Sequence, residues 1–138
     1  EGEFQRQFLA QRLAPLEQGR TMADVAALLI PAMAGPGADP DGIALARTLM
    51  SRIPPASYRA ALQALVRFDR RGLLPGIRVP VLCLAGGHDR TAPPQVLRRM
   101  AEKIPGAAFA EMADAGHLLN FERPAEFHGA LEAFLTNL

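Results

Sequence analysis

Apolar positions recur at helical spacing through the first seventy residues, then give way to short aliphatic runs alternating with helical stripes. The pattern predicts a run of helices followed by strand, helix, strand, helix. Phe4, Phe8, Leu9, Leu13 and Leu16 form the first stripe, ended by Gly19. Thr21 and Asp24 make a capping-box pattern ahead of Val25, Leu28 and Leu29, and Pro31 is expected to end or kink that second helix. Gly35 to Gly42 reads as a loop. Asp39 and Pro40 supply an N-cap and a first-turn proline for a third helix carrying Ile43, Ala46, Leu49 and Met50, which Pro54-Pro55 prevents from continuing. A fourth helix carries Tyr58, Ala61, Leu62, Leu65 and Val66.

Past residue 70 the character changes. Val79 to Ala85 is an aliphatic run without alternation, as expected of a strand buried on both faces, with Pro80 tolerable only near its start. Pro94 opens a helix whose Val96, Leu97, Met100, Ala101 and Ile104 are expected to face one way, and Pro105-Gly106 stops it. Ala107 to Met112 is a second strand. Pro124 opens the last helix, where Phe127, Ala130, Leu131, Phe134, Leu135 and Leu138 make the clearest amphipathic stripe in the chain. The expected division is a helical region over 1–70 and a strand-helix-strand-helix region over 71–138.

Composition narrows the function classes. Fifteen basic residues against fourteen acidic ones, spread along the chain for a net charge of +1, leave no electrostatic footprint for nucleic acid or an anionic membrane surface. A small-molecule substrate is the expected partner. Cys83 is the single cysteine and sits in the apolar run Val81-Leu82-Cys83-Leu84, so it reads as a buried structural thiol, and no disulfide or cysteine metal site can form within the chain. The longest apolar stretch, Ala26 to Ala34, is too short and proline-interrupted to span a bilayer, and no signal peptide opens the sequence. These features predict a cytoplasmic protein. The chain opens at Glu1, without methionine and already in helical pattern, which suggests that this residue is not a translation start.

The candidate chemistry lies in two loops. Two parallel strands joined by a helical crossover finish at the same edge of the sheet, with neighbours about 4.8 Å apart. Asp89 follows the first strand's last aliphatic position by four residues, and His117 follows the second strand's expected end by five. Both side chains should emerge at the carboxyl edge, where open α/β sheets place ligands. An imidazole can take a proton from a hydroxyl and return it to a leaving group, while a carboxylate fixes its tautomer and stabilises the imidazolium. Gly86-Gly87 and Ala115-Gly116 are small enough to let the two loops approach.

Ile77-Arg78-Val79-Pro80-Val81, Gly86-x-x-Asp89, Ala115-Gly116-His117 and Phe121-Glu122-Arg123-Pro124-x-x-Phe127 together resemble the C-terminal segment of the α/β-hydrolase superfamily. Within it, Tyr58 to Asn120 is most similar to the 3-oxoadipate enol-lactonases, through Tyr58-Arg59-Ala60-Ala61 and Phe68-Asp69-Arg70-Arg71. Esterases, haloperoxidases and C–C hydrolases of the same fold share most of these residues. The resemblance implies an α/β fold: the last two parallel strands with flanking helices, preceded by a mostly helical cap inserted before them. It implies Asp89 as the acid and His117 as the base of a Ser-Asp-His triad, with no metal or organic cofactor. It also implies a small ester or lactone as substrate. The family's G-x-S-x-G nucleophile elbow has no counterpart among these residues, so the serine and the oxyanion hole are expected from an N-terminal part, in the same gene product or in a second chain. The competing reading is a non-catalytic half-domain that acts through association with a partner.

Other residues of the same chemical types carry blander expectations. His88 reads as an exposed turn residue, His128 as a structural histidine beside Phe127, and Asp114 as a turn former rather than the triad acid. Ser51 and Ser57 lie in helix-forming sequence, away from any strand-to-helix elbow. Met22, Met33 and Met50 are expected in ordinary helix packing, and Arg47, Arg52, Arg59 and Arg67 on a solvated surface rather than around a substrate carboxylate.

Overall fold

The structure is a computed structural model that describes residues 2–138; Glu1 and the side chain of Phe4 lie outside the described residues, and with them the place of Phe4 in the first stripe. Helices α1 (Glu3–Glu17), α2 (Met22–Met33), α3 (Pro40–Ser51) and α4 (Pro55–Arg67) come first, then a 3-10 helix over Arg71–Gly76. Strand β1 (Leu82–Gly86), helix α5 (Pro94–Lys103), strand β2 (Ala108–Met112), the single turn α6 (Leu119–Glu122) and helix α7 (Pro124–Thr136) complete the order. The chain forms two compact units, one of Glu1–Ile30 with Ala46–Asp69 and one of Pro31–Leu45 with Arg70–Leu138. The helical periodicity of the first seventy residues does not reveal that 31–45 group with the strands.

In the first unit, the helix boundaries follow the polar signals. Gly19 adopts a φ of 77° just past α1, a conformation open to glycine at no steric cost. Thr21 and Asp24 close a reciprocal box: the Asp24 N–H donates to Thr21 Oγ1 at 3.2 Å and the Thr21 N–H to Asp24 Oδ2 at 2.8 Å. Hydrogen bonds from the Thr21 hydroxyl and backbone hold the Asp24 carboxyl below its ordinary pKa. Leu13, Met22, Val25, Tyr58 and Leu62 pack as one buried cluster, flanked by Phe8, Leu9, Leu16 and Met50. Met22 and Met50 are thus helix packing. Leu28 and Leu65, expected on the same stripes, are exposed.

Pro31 does not end α2, which runs on to Met33. Its missing N–H removes one bond to the preceding turn, yet the helix closes with a tighter bond from the Ala34 N–H to the Pro31 carbonyl at 3.3 Å. Asp39 caps α3 as expected, its Oδ1 accepting the Asp41 N–H at 3.1 Å.

In the second unit, β1 and β2 are parallel, with Leu82 opposite Ala108 and Gly86 opposite Met112. The strand begins at Leu82 rather than Val79. Ahead of Ala108 the neighbouring chain is still turning, with Gly106 at φ 75° and the Ala107 N–H donating to the Ile104 carbonyl at 3.1 Å, and Pro80 has no N–H for a ladder. Cys83, Ala101 and Ile104 form the core between strand and crossover helix, with Leu97 and Phe109 against it. Val96 and Met100 do not share that face. They are exposed and line a crevice with Arg71, Leu74, Arg99 and Lys103, because the 3-10 helix lies beside α5 at that position. In α7, Phe127, Ala130 and Phe134 are half-buried while Leu131 and Leu135 are exposed, as is Leu138 past the helix end, so among the described residues only part of the stripe is covered.

Candidate active site

The two loops that leave the carboxyl ends of β1 and β2 meet backbone to backbone. The Gly87 N–H donates to the Met112 carbonyl and the His88 N–H to the Ala115 carbonyl, both at 2.9 Å. A Cβ at Gly86 would lie 1.9 Å from the Gly116 oxygen, so only glycine permits this approach. The contact brings Asp89 to His117. His117 Nδ1 stands 2.8 Å from Asp89 Oδ2, with the Asp89 side chain 6% exposed and the imidazole 33% exposed.

Asp89 is held as an acceptor from both sides. Its second oxygen, Oδ1, accepts the N–H groups of Thr91 at 2.7 Å and Ala92 at 2.9 Å. Burial works to raise its pKa, but the hydrogen bonds from His117, Ala92 and Thr91 and the attraction of the imidazole outweigh it, and the carboxyl titrates below its ordinary 3.8. An ionised carboxylate only accepts, so His117 must carry its proton on Nδ1. That leaves Nε2 with the basic lone pair.

The other candidates stand elsewhere. His88 is exposed and joins the site only through its backbone, His128 is an exposed residue of α7 beside Phe127, and Asp114 is exposed and pairs with Arg123 at 3.4 Å. Ser51 ends α3 with its Oγ donating to the Thr48 carbonyl at 2.7 Å, and Ser57 is exposed in the first turn of α4. Neither sits on a strand-to-helix turn. Arg47, Arg52 and Arg67 are exposed, and Arg59 pairs with Glu17 at 3.8 Å. Among the described residues no group of three or more His, Cys, Asp or Glu side chains is placed to hold a metal ion, and no helix is long and apolar enough to cross a membrane.

One residue of the site escaped the sequence reading. Glu122 is 1% exposed, and its carboxylate accepts the N–H groups of Gly35 at 2.7 Å, Gly116 at 2.6 Å and Leu118 at 2.7 Å. In sequence it stands in the Phe121-Glu122-Arg123-Pro124 pattern that carries the family resemblance, which by itself assigns it no role.

A parallel pair with a helical crossover, an acid after one strand and a histidine after the next define the C-terminal part of an α/β-hydrolase fold. The family description "alpha/beta hydrolase fold" matches residues 6–124, and the chain belongs to that family. Among solved structures it is similar to a thermophilic esterase from Thermogutta terrifontis, with TM-score 0.84 and 26% identity over 99% of this chain and 52% of that one. It is also similar to the enol-lactonase from Burkholderia xenovorans LB400, with TM-score 0.80 and 30% identity over 93% of this chain and 50% of that one. Among curated proteins, a polyketide synthase of Burkholderia thailandensis is 39% identical over 74 residues, 54% of this chain and 4% of the synthase. The chain thus spans about half the length of these solved relatives and a small fraction of the synthase.

Proposed function

We propose that this chain supplies the acid and the base of a Ser-Asp-His triad in a hydrolase of small esters or lactones. The observation that carries the reading is the 2.8 Å contact of His117 Nδ1 with a buried Asp89 at the carboxyl edge of β1 and β2. The resemblance to an esterase and an enol-lactonase supports the substrate class. The serine and the oxyanion hole come from polypeptide outside these 138 residues, and the helical first unit is the cap region of the complete enzyme. His117 Nε2 takes the proton from the serine Oγ as that oxygen attacks the carbonyl carbon. It then returns the proton to the departing alkoxide, and a water repeats the sequence to release the acid. Asp89 keeps the proton on Nδ1 throughout and stabilises the imidazolium.

Two measurements test this. A fluorophosphonate should label nothing on this chain alone, and an adduct on Ser51 or Ser57 would overturn the assignment of the nucleophile. Joined with a family N-terminal half that carries the G-x-S-x-G elbow, the chain should hydrolyse p-nitrophenyl acetate, and Asp89→Asn should lower kcat by about 10⁴-fold.

The second reading, a non-catalytic half-domain that acts through a partner, draws on the exposed Leu131 and Leu135 of α7, on Leu138 beyond it, and on the lack of any elbow sequence. On that reading Asp89→Asn changes nothing that a partner detects, and no complex containing this chain hydrolyses an ester.

A further inference from the structure

We propose that Glu122 is the positioning residue of the histidine base: its carboxylate grips the backbone on both sides of His117 and ties it to the segment at Gly35. The proposal rests on the acid-base reading of Asp89 and His117. A buried carboxylate without a cation is tolerable only when its lone pairs are filled by donors. The adjacent guanidinium, Arg123, turns instead to Asp114 at 3.4 Å and Glu126 at 3.5 Å. Glu122 takes its donors from the main chain, with Oε2 on Gly35 and Gly116 and Oε1 on Leu118. Gly116 and Leu118 are the residues before and after His117, whose own N–H donates to the Met33 carbonyl at 2.8 Å.

Three consecutive amides of the base's loop are therefore fixed, which sets the direction in which His117 leaves the chain. Asp89 then fixes the ring. Proton transfer demands placement within about 0.5 Å of the productive geometry, which one side-chain bond to Asp89 cannot supply if the loop beneath it moves. The glycines agree with this. A Cβ at Gly116 would lie 2.2 Å from the Met33 oxygen and one at Gly35 would lie 2.7 Å from the Gly116 nitrogen, so the two segments that share the carboxylate are drawn to glycine-only distance. A glutamate that served packing alone would not need to accept from both neighbours of one histidine.

The test is nuclear magnetic resonance on the isotope-labelled 138-residue chain. The wild type should show a low-field His117 Nδ1–H signal, which Asp89→Asn abolishes while the Gly35, Gly116 and Leu118 amides stay protected from exchange. Glu122→Gln keeps the volume but turns an NH₂ donor toward an N–H donor. It should broaden or remove the Nδ1–H signal and speed exchange of those amides roughly ten- to a hundredfold, with Cys83 in β1 unchanged. Glu122→Asp, which retains the charge, should recover part of the signal. An Nδ1–H signal unmoved in Glu122→Gln overturns the proposal. Should that variant not fold, Glu122→Asp decides: its shorter arm should speed exchange of the Gly35, Gly116 and Leu118 amides and weaken the Nδ1–H signal together, and a full-strength signal with those amides deprotected overturns the proposal. A wild type with no Nδ1–H signal, but with the three amides protected, instead removes the acid-base pair on which the proposal stands.

Discussion

In the first unit the buried positions are Leu13, Met22, Val25, Ala26, Ile30, Ala46, Tyr58 and Leu62; in the second, Asp89 and Glu122 are buried beside Cys83, Ala85, Met112 and Ala115. One unit is filled by apolar side chains, and its buried polar atom, the Tyr58 hydroxyl, has no hydrogen-bond partner among the described residues. The other sets small residues and bare backbone around two carboxylates whose every oxygen accepts a bond. The first arrangement tolerates many apolar sequences of similar volume, because burial has no direction. The second tolerates few, because each acceptor needs its donor at one place.

Substitutions put this contrast to the test. The largest loss should come from the apolar unit: Leu62→Ala removes a core side chain and should cost about 2–5 kcal/mol in urea unfolding, whereas Leu62→Met should cost less than about 1.5 kcal/mol. Gly86→Ala comes next, toward the upper end of the roughly 1–3 kcal/mol of an overpacked site, because its Cβ meets main-chain oxygen rather than a yielding side chain. Gly129, inside α7 with nothing within 4 Å of a Cβ, is the control, and Gly129→Ala should stabilise by about 0.5–1 kcal/mol. Tyr58→Phe should change stability by less than about 1 kcal/mol, neutral or favourable, since it deletes a hydroxyl with no hydrogen-bond partner among the described residues. A loss of several kcal/mol there would show that the helical unit depends on polar pairing after all.

A dependence on pH tests the buried carboxylate of the second unit directly. The folded pKa of Asp89 lies below 3.8, so between that folded value and 3.8 the unfolded chain binds a proton that the folded one has released. Stability from this group rises with pH through that window, is complete above it, and is lost as pH falls through the folded value. Asp89→Asn should reduce that acid-side slope in unfolding measured across the window, leaving the share of Asp24, and an unchanged slope would count against the His117 contact.

How much of this was legible in the chain depends on the range of the interaction. Thr21, Asp39, Pro94 and Pro124 announce helix starts because capping acts within four residues, and the Asp89 and His117 loops could be placed together because a crossover brings successive strands to one edge. Glu122 stands in the family pattern Phe121-Glu122-Arg123-Pro124, but its bonds could not be read so. Its partner Gly35 lies 87 residues away, and nothing local distinguishes a buried acceptor from a solvated charge. The start of β1 depends on a pairing that is not local: the ladder begins with Leu82 opposite Ala108, because the chain before Ala108 is still turning at Pro105-Gly106. Val96 and Met100 followed the helical period but faced a 3-10 helix that no periodicity announced.

Cys83 sits in the middle of β1, 4% exposed, with its thiol pKa pushed up by burial, and it is the only sulfhydryl in the sequence. The chain therefore carries its own clock. A disulfide reagent in excess can react only when β1 leaves its core, so the colour it releases counts openings of the strand that ends at the Asp89 loop, without a label being introduced. Comparing that rate between wild type and any loop variant tells local loosening at Asp89 and His117 from opening of the strand beneath them.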